Sequence, residues 1–133
     1  MMRGPRRAGR VRRDGDPARG SGRVRVRGHD GEVWLGAAEL GAELGERATL
    51  VQFSSAFCQP CRATRRTLAD VAGMVPGVAH VEVDAEARLE LVRGLDIQRT
   101  PTVLVLDAAG RIVRRAAGQP RKADVIAALG EAV

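Results

Sequence analysis

Two stretches of this chain, Thr49-Leu50-Val51-Gln52-Phe53 and Thr102-Val103-Leu104-Val105-Leu106, are apolar or β-branched at almost every position. A strand that alternates apolar with polar residues can leave one face in water, but these two must be covered on both faces. Helices therefore have to pack on two sides of a sheet. Phe53, Phe57 and Trp34 are the only aromatic residues, so the core is built from Val, Leu, Ile and Ala.

The segments around these strands set the order of elements. Arg23-Val24-Arg25-Val26-Arg27 alternates with period two, and Val33 to Leu35 is a second short candidate; one of them opens the sheet. Ala37 to Leu44 reads as a short helix with Leu40 and Leu44 at i and i+4, ended by Gly45. After Ser54-Ser55-Ala56 a helix runs to about Met74, with Leu68, Val71, Ala72 and Val75 on one stripe and Arg62, Arg65 and Arg66 facing water. Pro76-Gly77 closes it, and Val78 to Val83 is the next strand, with Val81 and Val83 on one side. Ala85 to Gly94 follows as a helix. Asp107 to Gly110 forms a turn, and Arg111 to Ala116 returns as a hairpin partner. Arg121 to Val133 closes the chain as a helix with Val125, Ile126, Leu129 and Val133 on one face. This order predicts an α/β sandwich with a mostly parallel sheet and one antiparallel hairpin at an edge.

The chain has 133 residues, enough for one domain and a tail. Residues 1–27 hold ten arginines against Asp14 and Asp16, whereas residues 28–133 hold twelve Lys and Arg against fourteen Asp and Glu. The net charge of +6 thus belongs to the tail. Residues 1–27, rich in Gly, Pro and Arg and without periodicity before Arg23, read as a disordered basic tail, and 28–133 as the domain. The tail could meet nucleic acid phosphates or anionic lipid, but a solvated tail in an Arg-biased chain is the simpler reading. No nucleic acid partner is expected, and membrane contact is at most a weak surface one. No apolar run approaches the roughly 18 residues that span a bilayer, and the start lacks the apolar stretch of a signal peptide. A cytoplasmic monomer is the expectation; a start site upstream of Met1 would allow a membrane anchor and a domain outside the cytoplasm.

Chemistry concentrates in Phe57-Cys58-Gln59-Pro60-Cys61, which holds the only two cysteines. Thiols at i and i+3 on the first turn of a helix are close enough to form a reducible disulfide. The helix N-terminus favours the thiolate of Cys58, while Cys61, one turn inside, should be more buried. Cys58 would attack a substrate disulfide, and Cys61 would then attack Cys58 and release the reduced product. Pro60 is tolerated in the first turn, where no backbone N–H partner is lost. The same spacing is half of a zinc site, but zinc needs about four ligands and the only histidines, His29 and His80, are not at zinc-finger spacing. No metal is expected, and no cofactor beyond a redox-active Cys58–Cys61 disulfide.

From about residue 30 onward the chain resembles the thioredoxin family. The resemblance rests on Cys58-Gln59-Pro60-Cys61 after a central strand, on Thr100-Pro101-Thr102 opening a later strand, and on Gly118 near the end of the hairpin. It implies a thioredoxin fold: a three-layer α/β/α sandwich whose mixed central sheet combines parallel strands with an antiparallel C-terminal hairpin. It also implies a cis peptide bond before Pro101, which stands beside the nucleophilic cysteine, and a substrate groove formed by Phe57, Gln59, Pro60, Thr100, Pro101 and Gly118. Protein disulfides are the implied substrates, with a thioredoxin reductase or another electron donor as partner.

The chain departs from the family pattern in informative ways. Phe57 stands where Trp is common, which keeps an apolar lip but loses the indole N–H. Gln52 stands where a buried Asp commonly helps deprotonate the resolving cysteine, and His80 replaces its usual lysine neighbour. His80, through water or Gln52, is a candidate for the missing proton transfer; it also reads simply as a polar filler of a half-buried strand. Pro60 before the second cysteine resembles reducing members of the family. The short Pro76-Gly77 connection argues against peroxiredoxin-like and cytochrome-maturation relatives, which carry an insertion there. A non-catalytic thioredoxin-like binding module, docking a partner through its Arg-rich tail, is the rival reading.

Overall fold

The computed structural model describes residues 30–133. The basic tail at 1–27 and the candidate strand at 23–27 lie outside the described residues. After a 3-10 turn at Asp30–Glu32, the elements are α1 (Ala37–Leu40), β1 (Ala48–Ser54), α2 (Gln59–Met74), β2 (Val78–Asp84), α3 (Leu89–Gly94), β3 (Thr102–Asp107), β4 (Ile112–Ala117) and α4 (Lys122–Ala132). The four strands form one sheet in the order β2-β1-β3-β4.

Strand β1 is buried at all seven positions, and its neighbours explain why. It pairs in parallel with β2, to which the long crossover α2 connects it, and antiparallel with β3. Within a mixed sheet of the expected kind, parallel pairing is thus confined to β1–β2 rather than dominant. The chain between β2 and β3 leaves and re-enters the sheet at the same end, so β3 runs the other way. That geometry puts the loop after β1 and the loop before β3 at the same end, with Phe53 opposite Thr102.

Alternation along β1 divides the core into two layers. Val51 and Phe53 join Val81, Val83, Leu91, Leu95, Leu104 and Leu106 beneath α1 and α3. Ala48 and Leu50 join Leu68, Val71, Val103, Val105 and Leu129 beneath α2 and α4. Gln52 and Ser54 share the second face and are the polar residues of β1 turned toward α2.

Several element ends differ from the sequence expectation for local reasons. Helix α1 stops at Gly41, which takes the left-handed φ of 73°, so the run to Leu44 is not helical and Gly45 is not its stop. The expected helix from Ala85 begins only at Leu89, because the Asp84 carboxylate accepts the Glu86 N–H at 2.9 Å and closes a turn first. In α4 the buried face is Val125, Ala128 and Leu129, while Ile126 and Val133 are exposed. The Val33–Leu35 candidate is reduced to a bridge between Trp34 and Arg111, supported by Leu35 N–H to Gly110 O at 2.9 Å. Among the described residues no helix is long and apolar enough to cross a membrane.

Candidate active site

The β1–α2 loop delivers Cys58 to the N-cap of α2, where its backbone is extended (φ −109°, ψ 102°) and its Sγ accepts the Cys61 N–H at 3.2 Å. The first N–H groups of a helix have no partner within it, so they and the helix dipole favour negative charge on that sulfur. Cys58 is half-buried rather than fully exposed, whereas Cys61 is 1% exposed. The two are joined as a disulfide with their Cα atoms 5.2 Å apart. Gln59 and Pro60 occupy the first helical positions and face solvent. Phe57, 99% exposed, takes a φ of 59°, a left-handed conformation that costs a non-glycine residue about 1 kcal/mol.

The opposite wall is the loop before β3. Its Thr100–Pro101 bond is cis, as the resemblance implies. Ser55 Oγ and Thr100 Oγ1 are 2.8 Å apart, a hydrogen bond that ties this loop to the cysteine loop. Gly118, at a φ of 93°, donates its N–H to Pro101 O at 2.7 Å and completes the wall from the end of β4. Sequence reasoning overlooked Ser55 and also Arg99. A Cβ placed on Gly118 would come 3.3 Å from Arg99 Nη2, so the guanidinium lies across the glycine. Thr102 Oγ1 donates to Arg99 O at 2.6 Å and fixes the turn that carries it.

Beneath Cys61 lies a polar floor. The Gln52 amide nitrogen donates to Cys61 O at 2.8 Å and to Ser54 Oγ at 2.9 Å. A backbone carbonyl only accepts, so this nitrogen must face it, and Gln52 Oε1 is left facing His80 Nε2 at 3.3 Å. His80 therefore carries its proton on Nε2 and donates to Gln52. Burial holds the His80 pKa below its ordinary 6.5, partly offset by nearby Glu82 and reinforced by Arg65. Glu82, directly across the strand pair from Gln52, is held below its ordinary value first by the hydrogen bonds of Arg65, which grips both its oxygens at 2.8 and 2.7 Å. A Ser54 hydrogen bond lowers it further. The floor thus contains an amide and an imidazole below Cys61, with the Glu82 carboxylate one strand away. Among the described residues no group of three or more His, Cys, Asp or Glu is arranged to hold a metal.

A mixed sheet flanked by helices, a vicinal cysteine pair at a helix N-terminus and a facing cis-proline loop define a thioredoxin-fold domain with a dithiol–disulfide couple. The Thioredoxin family model matches residues 37–131. The chain belongs to the thioredoxin family. It is 32% identical over 77 residues to thioredoxin H5 of Oryza sativa subsp. japonica, a match that covers 58% of this chain and only 56% of that relative. Among solved structures, chloroplastic thioredoxin z superposes with a TM-score of 0.57 at 28% identity, covering 65% of this chain and 78% of that one. Fasciola hepatica thioredoxin superposes with a TM-score of 0.58 at 21% identity, covering 67% and 84%, which speaks for the fold alone.

Proposed function

We propose that the protein reduces disulfide bonds in other proteins through a Cys58/Cys61 relay. The Cys58 thiolate attacks one sulfur of the substrate disulfide, forming a mixed disulfide and releasing the other sulfur as a thiolate. Cys61, deprotonated, attacks Cys58 Sγ; the Cys58–Cys61 disulfide forms and the second substrate thiolate leaves. Two electrons pass from the protein to the substrate, and an external dithiol donor of the thioredoxin-reductase type restores the pair. The observation that carries this reading is the asymmetry of the pair: a half-exposed N-cap sulfur and a resolving cysteine 1% exposed behind it.

In this reading Phe57, Gln59, Pro60, Thr100, Pro101 and Gly118 border the substrate. The second step is the slower one, because Gln52 takes no proton and His80 already donates from Nε2. On His80 only Nδ1 is left to take a proton from Cys61. The test is catalysis of insulin reduction by dithiothreitol. Acceleration that vanishes in Cys58→Ser supports the assignment, and a wild-type protein with no effect on the dithiothreitol rate refutes it. A monomeric, cytoplasmic protein without further cofactor is the setting this function fits.

A further inference from the structure

We propose that the groove beside the dithiol selects disulfide-bearing protein segments that carry a carboxylate next to the cysteine. The inference rests on the reductase reading and adds the class of substrate. It starts from Arg99, whose guanidinium lies over Gly118, where a Cβ would meet Nη2 at 3.3 Å and Cζ at 3.7 Å. Gly118 in turn donates to Pro101 O, so this cation sits on the wall that the cis-proline loop and the end of β4 form together. Its main chain is pinned by Thr102 Oγ1 at 2.6 Å, and among the described residues it makes no ion pair.

A second cation stands on the other side of the motif. Arg62 is exposed, its N–H returns to Cys58 O at 3.3 Å, and its Nη1 donates to Gln59 Oε1 at 3.3 Å. It too has no carboxylate partner among the described residues, whereas Arg65, one turn-position on, is spent on Glu82. The flank at Ala56 is of opposite sign, since the Ala56 N–H faces Glu86 Oε1 at 3.5 Å. The site is therefore polarised, basic at Gly118 and Gln59 and acidic beside Ala56. A planar guanidinium with donors left over is suited to a carboxylate. A segment laid along the cis-proline wall would present its flanking Asp or Glu to Arg99.

Two fluorogenic disulfide peptides, identical except for Glu or Gln beside the cysteine, test this with the pre-reduced full chain. The expected result is that the Glu peptide is reduced about fivefold faster at low salt, the scale of one or two exposed ion pairs. The ratio should fall toward one in about 0.5 M salt. Arg99→Gln should remove most of the preference, Arg62→Gln part of it, and Arg99→Lys should retain most of it. Equal rates for the two peptides, or a ratio insensitive to both Gln variants, overturn the carboxylate preference and leave the reductase reading standing. Reduction of neither peptide nor of insulin overturns both.

Discussion

The two sides of the disulfide are built differently. Above it, the groove of Thr100, cis-Pro101 and Gly118 follows the family pattern, with Phe57 at its lip, and is closed by ordinary backbone and hydroxyl hydrogen bonds. Below it, the floor replaces a carboxylate by Gln52 and sets His80 behind it. In the proposed relay the groove would govern which disulfide meets Cys58, and the floor how readily Cys61 loses its proton. Attack and resolution therefore need not be matched in speed, and the variants with the largest effects separate the two.

The sharpest separation comes from the cysteines themselves. Cys58→Ser should bring insulin reduction down to the dithiothreitol background, whereas Cys61→Ser should attack once and stop. A stable mixed disulfide, seen as a mass increase under non-reducing conditions, is the expected product of the latter. A Cys61→Ser protein that still turns over would break the division between groove and floor.

The floor is tested next by Gln52→Asp, which puts a proton acceptor beneath Cys61. If deprotonation limits resolution, breakdown of the mixed disulfide should speed up by about a hundredfold, the low end of general-base effects. The same change buries a charge and removes the donor to Cys61 O, so stability should fall by about 3 kcal/mol. Rapid-mixing kinetics and urea unfolding read the two effects apart. An unchanged lifetime would mean that Gln52 does not limit the second step.

On the groove side, Phe57→Ala should raise KM for protein substrates several-fold by removing the exposed lip while leaving attack on a small disulfide nearly intact. Phe57→Gly should share that KM effect and also gain about 1 kcal/mol, because glycine accepts the φ of 59° without strain. Equal KM values for wild type and Phe57→Ala would remove Phe57 from the groove.

Much of this was legible in the chain. Strands β1 and β3 announce themselves by being apolar on both faces, and α2 by its stripe and its cysteine start; Pro76-Gly77 marks the α2–β2 junction. The proline and glycine of the groove could be named because a motif carries them. What could not be read depends on three-dimensional neighbours. Nothing local tells that β3 runs against β1, since both-face burial looks the same in either direction, and the late start of α3 follows from the Asp84–Glu86 turn, a side-chain effect. Arg99 reads as one of twenty-one arginines until its fold places it on Gly118. Likewise Gln52 shows as a lost carboxylate, but its grip on Cys61 O, Ser54 and His80 appears only when β2 is laid beside it.

The smallest expected effect concerns the same floor in acid. The folded state holds the His80 pKa below 6.5, so it binds fewer protons there than the unfolded chain does. Its contribution to stability is complete above that value and is lost as pH falls through it. Glu82 is also held low, so its contribution is present above its ordinary 4.5 and disappears in a second, more acidic window. Unfolding midpoints measured from pH 8 to pH 3 should thus fall in two stages. His80→Gln should flatten the first stage, and Arg65→Ala should weaken the second while changing stability little at neutral pH, as expected of an exposed ion pair. If the His80→Gln curve keeps the upper stage, the imidazole is not the group that titrates there, and the floor is left with Gln52 as its only functional departure from the family pattern.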